Sequence, residues 1–326
     1  MKAWLIDGYD GIDKLRLADH PAPTPGEGEV VLRLRLAALN PADYYLAEGQ
    51  YPAKPRFPHI LGRDGLGVVE AVGPGVTDVR PGDERIILRG DTGVDLPGTF
   101  AERVTVPAAR LAPKPDGWSD EEAACASLVY LTAWQALSQF GPLPENQTVL
   151  VTGASGGVGT ATVQLAKALG HTVVALSRSE EKQARLREIG ADVTLNPSAP
   201  DLGKRIKAAL NGGRVDLAVD QIGGEEFNEI LGTLGMHGRI ACVGRLAGPV
   251  PNFNTASLFF RRIQIMGVGV YAYSAEAAQA AWREIVATLA KTGARPLVDS
   301  TFPFEQLPQA FARLKQGPMG KVVLRV

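Results

Sequence analysis

Residues 148–160 read Thr-Val-Leu-Val-Thr-Gly-Ala-Ser-Gly-Gly-Val-Gly-Thr, and no other stretch narrows the fold as much. A short apolar run rich in β-branched residues ends in a glycine-dense turn. The turn opens into a helical pattern in which Val158, Val163, Leu165, Ala166 and Leu169 can share one face. This is the strand–turn–helix that begins a dinucleotide-binding unit. Glycines let the backbone approach a pyrophosphate, and the helix start offers unpaired N–H groups and a positive dipole end. Within it, Ala154, Ser155, Gly156, Gly157, Val158 and Gly159 spell A-x-G-x-x-G, with Gly153 just before. Gly156 would admit the pyrophosphate, and Gly159 would let the helix pack closely on the sheet.

A glycine-rich turn alone can be a plain strand–helix junction, so its context decides. Strands are expected near 148–153, 171–177, 191–195, 215–220, 239–243 and 263–270, and helices near 157–169, 180–189, 201–210 and 225–234. That alternation predicts right-handed crossovers and a parallel sheet covered on both faces. The second strand ends in Ser177-Arg178-Ser179, with Lys182 following. An acid there would grip the ribose 2′-hydroxyl of NAD; two cations and serine hydroxyls suit a 2′-phosphate, and so NADPH. The same cations would also serve as solvated helix-start residues, partly offset by Glu180 and Glu181.

Ahead of this region the texture is different. Residues 1–6, 15–17, 29–36, 65–72, 85–88 and 101–106 read as short strands separated by Gly and Pro turns, which suggests a compact, partly closed barrel. At Ser119 a helix begins, with Glu122 placed for a capping box, and its pattern runs on to Leu137. After 270 come a helix over 275–291, an extended piece at 300–304, a helix over 304–315 and a last strand at 321–326. These resemble the first segment in style, so the nucleotide-binding part is expected to be an insertion.

With 326 residues, 45% hydrophobic and 21% charged, the chain has the composition of an ordinary globular protein with room for two cores. A net charge of −1 and a pI near 6.5 argue against a nucleic-acid surface. Cys125 and Cys242 are too few for a disulfide framework and sit in apolar surroundings, so core packing in a reducing cytoplasm is expected. The first residues lack the apolar core of a signal peptide, and no run of about 18 apolar residues predicts a membrane helix.

The turn joins a series of further matches: Asn40-Pro-Ala-Asp43, Leu61-Gly-Arg-Asp-Gly-Leu-Gly67, Val79-Arg-Pro-Gly-Asp83, Gly98-Thr-Phe-Ala-Glu102, Leu131-Thr-Ala133, Asp220-Gln-Ile-Gly223 and Gly320-Lys-Val-Val-Leu324. In this order, over nearly the whole chain, they resemble the medium-chain dehydrogenase/reductase superfamily and, within it, the zinc-free quinone oxidoreductase branch. The resemblance implies an α/β protein. A GroES-like β-rich catalytic domain (residues 1–122, returning over 270–326) would carry an inserted Rossmann dinucleotide-binding domain (123–269), with the active site in the cleft between them.

Zinc alcohol dehydrogenases have Cys where this chain has Asn40 and Gly-His-Glu where it has Gly62-Arg63-Asp64. Residues 88–100 lack the four cysteines of a structural zinc lobe, and His20, His59, His171 and His237 show no His–Cys ligand pattern, so no metal is expected. His171, after Gly170 at a strand start, reads as a surface residue. Without a Lewis acid the substrate must accept hydride readily, as quinones and α,β-unsaturated carbonyls do.

The resemblance places Asn40 and Tyr45 at the nicotinamide end of the cleft, and matches Tyr51 to a tyrosine that enoyl-thioester reductases use near the substrate. A tyrosine there can donate a proton to a developing enolate; it can equally cover a domain edge. Further cofactor contacts implied by the resemblance are Thr132 at the domain junction, Gly244 and Arg245 after the fifth strand, Gly267, Val268 and Gly269 after the sixth, and Lys321. Many quinone oxidoreductases carry an Asn-Tyr pair after the third strand; here the residues are Asn196-Pro197-Ser198. The stretch 263–270, with Ile263, Ile265, Val268 and Val270, reads as an edge strand, through which subunits of this family commonly pair. These features predict a homodimeric, NADPH-dependent reductase of quinones or enones. A 2-enoyl-thioester reductase and a non-catalytic NADPH-binding sensor or structural protein are the alternatives.

Overall fold

The computed structural model describes every residue except Arg89, Pro142, Leu143 and Pro251. By packing, the chain divides into one unit of Met1–Leu128, Tyr271–Arg283 and Arg295–Val326 and another of Val129–Val270 and Glu284–Ala294.

The first unit is built on the strand Glu29–Ala38. Its sequence alternates so that Leu32, Leu34 and Leu36 are buried while Arg33 and Arg35 face water, the period of a strand with one covered face. It pairs antiparallel with Asp64–Val72, Arg103–Pro107 and Lys321–Arg325. The sheet continues from Asp64–Val72 through Glu84–Ile87 to Leu111–Pro113, and from Lys321–Arg325 to Val298–Pro303. The last strand is therefore an internal member, second from one edge, of the sheet built on Glu29–Ala38. A smaller sheet joins Arg16–Asp19, Lys2–Ile6 and His59–Ile60. Trp4, Ile6, Leu39, Leu46, Phe100, Phe311 and Leu324 form the shared core. Each such side chain, fully buried, contributes about 1.5–3 kcal/mol.

The helix Pro41–Ala47 has no counterpart in the sequence reading, because seven residues are too few to show a helical period. Its signal is local: Asp43 accepts the Asn40 N–H at 2.8 Å and Pro41 opens the first turn. The Ser119 capping box forms as expected, with Ser119 Oγ accepting from the Glu122 N–H and Glu122 Oε2 from the Ser119 N–H. The helix it starts stops at Ala124, and a second runs over Ser127–Ser138.

In the second unit six parallel strands lie in the order Val193–Leu195, Thr172–Leu176, Thr148–Val151, Val215–Asp220, Leu234–Cys242, Gln264–Gly267 among the described residues. The central strands are apolar on both faces, as helices covering both sides require. Leu234–Cys242 starts earlier than expected, and His171 is buried, only 4% exposed, rather than on the surface. Cys125 is also buried, and burial pushes its thiol up to about 12. No helix among the described residues is long and apolar enough to cross a membrane.

His59 is 3% exposed and its Nε2 has no partner among the described residues. Burial holds its imidazole down at about 4, with a backbone bond to Gly93 opposing the shift. A group whose folded pKa is depressed stabilises fully above its unfolded value, near 6.5, and that stability is lost as pH falls towards 4. Urea unfolding is therefore expected to show a loss on the order of 3 kcal/mol over that window, with the component absent from a His59→Gln variant. An equal slope in both proteins would contradict it.

Candidate nucleotide and proton-transfer sites

Each unit carries one set of candidate residues, and the two sets are built differently. In the second unit the strand ends Val151, Leu176, Leu195, Asp220, Cys242 and Gly267 lie at one edge of the sheet, where open parallel sheets bind ligands. The glycine turn leaves Val151 with Gly153 at φ +53° and enters the helix Gly157–Ala168 through Gly156, with no side chain capping that helix start. The first-turn N–H groups of Gly157, Val158 and Gly159 therefore need an outside acceptor, and an anion is the natural one. Gly159 cannot be replaced cheaply, because a Cβ there would sit 2.5 Å from the Gly153 carbonyl oxygen. At Gly156 the nearest atom to an added Cβ is 3.5 Å away, so that face is open. Ala154 is fully buried and its N–H goes to the Leu176 carbonyl, so it ties the turn to the second strand rather than offering a donor outward. Ser155 is partly exposed beside it.

Beyond the second strand, Ser177 is buried and Arg178 exposed. Lys182 is half-buried; its N–H bonds Ser179 Oγ at 3.3 Å, capping the next helix. The sequence reading did not single out Glu226. Its carboxyl is pushed up to about 7 by burial and by Asp220, while the Arg178 charge works the other way. Its Oε1 is buried without a partner among the described residues. Asp220 straps the loop after its own strand, accepting from Thr152 Oγ1 at 2.8 Å and from the N–H groups of Ile222 and Gly223. Gly244 and Arg245 lie in the following loop, Arg245 exposed, and Val268, between Gly267 and Gly269, donates its N–H to the Cys242 carbonyl. Thr132 is buried within Ser127–Ser138. An uncapped helix start, an open glycine and an exposed arginine fit a dinucleotide.

In the first unit, folding brings Asn40 and Lys321 together. The Lys321 ammonium donates to the Leu39 carbonyl at 2.8 Å, to Asn40 Oδ1 and to Asp64 Oδ2 at 3.2 Å. Its three N–H donors thus have three acceptors inside the protein, and none remains for a cofactor phosphate. Lys321, read from resemblance as a cofactor contact, is instead a buried brace. Asn40 is drawn into the same network: Nδ2 donates to Asp64 Oδ2 at 2.9 Å while Oδ1 takes the lysine. Asp64 also accepts from Ser127 Oγ and from the Leu128 N–H.

A second buried pair adjoins the first. Arg63 Nε donates to Asp43 Oδ1 at 3.2 Å, with both side chains almost wholly buried. Burial pushes the Asp43 carboxyl up to about 6, opposed by Arg63 and by the Asn40 N–H. Arg63 Nη1 reaches Tyr51 Oη at 3.1 Å, and its guanidinium lies 4.4 Å from the centre of the Tyr51 ring. Tyr45 is half-buried on Pro41–Ala47, its ring edge-on to Tyr44. The residues missed from sequence are Asp43, Arg63, Asp64 and Ser127. A buried charge has no periodicity of its own; the matched runs Asn40–Asp43 and Leu61–Gly67 contained three of them but gave them no role.

Two family models match separate stretches of the chain. Residues 26–116 match the alcohol dehydrogenase GroES-like domain, and residues 157–292 match the family described as zinc-binding dehydrogenase. Relatives include the human synaptic vesicle membrane protein VAT-1 homolog, 31% identical over 99% of this chain and 86% of its own. Rat quinone oxidoreductase is 28% identical over 99% and 97%. Acryloyl-coenzyme A reductase of Sulfurisphaera tokodaii is 28% identical over the full length of both. Among crystal structures, an NAD-dependent alcohol dehydrogenase superposes with a TM-score of 0.92 at 34% identity, covering both chains completely. Mycobacterial Rv1454c complexed with NADPH superposes at 0.89 and 30%, again over both chains.

The zinc in the second description does not fit the donors present. A catalytic zinc takes about three N, S or O ligands with at least one open position. Among the described residues no group of three or more His, Cys, Asp or Glu could hold a metal ion. Asp64 already holds a cation, the Lys321 ammonium, and the Cys125 thiol is held protonated.

Proposed function

Because the chain belongs to the medium-chain dehydrogenase/reductase superfamily, in its quinone oxidoreductase branch, we propose that it reduces quinones or α,β-unsaturated carbonyls with NADPH and without a catalytic zinc. It is an oxidoreductase that binds a pyridine nucleotide. The observation that carries the substrate class is the donor set around Asp64, an ammonium, an amide and a hydroxyl, which has no thiolate or imidazole to offer a metal. Substrates that spread incoming charge by conjugation need only orientation and a hydrogen-bond or proton donor at the oxygen.

When bound, the nicotinamide supplies a hydride. The protein's part on the nucleotide is to neutralise the pyrophosphate at the N–H groups of Gly157–Gly159, to set the 2′-phosphate against Arg178 with Ser177 and Lys182 close by, and to flank the ring with the loops at Gly244–Arg245 and Gly267–Gly269. Thr132 belongs to the same reading. Tyr51 is the proton donor to the reduced substrate, and Tyr45 lines its approach. Asn40 acts by holding the buried network in register.

The relative that is an acryloyl-coenzyme A reductase favours a second reading, in which the acceptor is a 2-enoyl thioester. Oxidation of NADPH at 340 nm across quinones, alkenals and enoyl-coenzyme A esters separates the two. Turnover of the first two classes is expected, with Tyr51→Phe reducing kcat roughly 100- to 10,000-fold, the range of acid catalysis. Turnover of thioesters alone would replace the first reading by the second.

Cofactor choice rests on Arg178. A charge-assisted bond to the 2′-phosphate is worth about 1.5–3 kcal/mol, so Arg178→Ala is expected to weaken NADPH binding roughly 10- to 100-fold and NADH binding less than twofold. Equal loss for both nucleotides, measured by fluorescence titration, would remove Arg178 from the 2′-phosphate site.

The edge strand Gln264–Gly267 is exposed along its length, with Ile265 and Met266 on it and Phe259 and Phe260 exposed on the helix before it. An apolar, unpaired edge invites a second copy, and we assign a homodimer through residues 263–270. Light scattering is expected to give twice the chain mass; a monomer at micromolar concentration would refute it.

A further inference from the structure

Arg63 is charged, buried and absent from the reaction as described so far. Its two side-chain neighbours are unlike each other. Asp43, fully buried and fixed by the Asn40 N–H, holds Nε; the phenol of Tyr51 receives Nη1, and the Tyr51 ring lies beneath the guanidinium at 4.4 Å. Nη2 donates to the Ala42 carbonyl at 3.2 Å, which fixes the plane of the group. The arginine is thus clamped on one side by a short helix and presents its remaining edge and face to one tyrosine. A buried ion pair stabilises a fold no better than well-packed apolar side chains of the same volume. What this one adds is a rigid donor aimed at the Tyr51 oxygen.

We propose that Arg63 is a positioning residue for proton transfer from Tyr51. The inference rests on the reading of Tyr51 as the proton donor. The direction of the hydrogen bond matters: Arg63 donates into a lone pair of the phenol oxygen and leaves the phenolic hydrogen outside that bond. On reduction, the hydride forms a C–H bond at the substrate's β-carbon, and the displaced electron pair comes to rest on the carbonyl oxygen. The Tyr51 O–H bond breaks as that oxygen, or the α-carbon, takes the proton. The phenolate left on Tyr51 then has a full hydrogen bond and a cationic face from Arg63, and water restores its proton. A lysine in place of Arg63 could supply charge but neither the fork nor the planar stack, so the two side chains are not equivalent here.

The test is a double-mutant cycle of Arg63→Lys and Tyr51→Phe, assayed with NADPH and an enone, with thermal melting and NADPH titration of each protein alongside. Arg63→Lys is expected to lower kcat roughly 10- to 100-fold while KM for the enone and the Kd for NADPH stay within about threefold. In the Tyr51→Phe background the same change is expected to cost less than twofold, because the group it positions is gone. A readout independent of turnover is the ring signal of Tyr51 in NMR of tyrosine-labelled protein, identified by its loss in Tyr51→Phe. It is expected to move in Arg63→Lys while the other tyrosine signals stay. If Arg63→Lys does not fold, Arg63→Gln combined with Asp43→Asn removes both buried charges and is expected to show the same cycle. Full losses that multiply in the double variant, or a Tyr51 signal unmoved by Arg63→Lys, would overturn the role of Arg63 alone. Full activity in Tyr51→Phe would instead overturn the reading of Tyr51 on which it rests.

Discussion

The ammonium of Lys321 beside the carboxylate of Asp64 is the interaction on which the first unit depends. The side chains are 5% and 0% exposed, and 257 positions of sequence separate them. Neither charge could be buried alone; removing one partner of such a pair costs about 3–5 kcal/mol. The pair is satisfied because Asn40, Ser127 and the Leu128 N–H complete the coordination of the carboxylate. It therefore draws into one cluster the strand Asp64–Val72, the start of the helix Pro41–Ala47, the start of Ser127–Ser138 and the last strand. The return of the chain to its first sheet is a condition for the network.

The two functional regions rest on different physics. Around Gly153–Gly159 the proposed recognition is by backbone: the first-turn N–H groups of the helix Gly157–Ala168, whose start no side chain caps, and a position, Gly159, where a side chain would collide. Little there depends on side-chain chemistry until Arg178, where a cation is set off against the half-buried Glu226. Around Asn40, Asp43, Arg63 and Asp64 the reverse holds. The backbone is ordinary helix and strand, and the chemistry lies in four charged groups (with Lys321) that shield and orient one another. Such networks hold rotamers in place, which is what a group that transfers a proton needs.

That contrast explains what could be read from the chain. The glycine turn was legible because Gly153 and Gly159 answer local steric demands, and the sheet after it because strands and helices keep their own periods. The capping box at Ser119 was legible for the same reason. The helix Pro41–Ala47 was too short to show its period, and His171 looked exposed because its neighbours in sequence do not reveal what packs over it. Asn40 and Lys321 were named from resemblance as ligand-facing residues, and resemblance cannot see that the two also bond each other in the folded chain.

The sequence by itself determined the architecture, the nucleotide turn and the lack of a metal-binding ligand pattern. These depend on periodicity, on glycine sterics and on which donor atoms exist at all. Only the tertiary structure decided which charges are buried against which: Asp64 with Lys321, Asp43 with Arg63, and Arg63 with Tyr51. The physical reason is that a charge's partner is chosen by proximity in the folded core, between residues up to 257 positions apart, and nothing in the local pattern of either residue carries that choice.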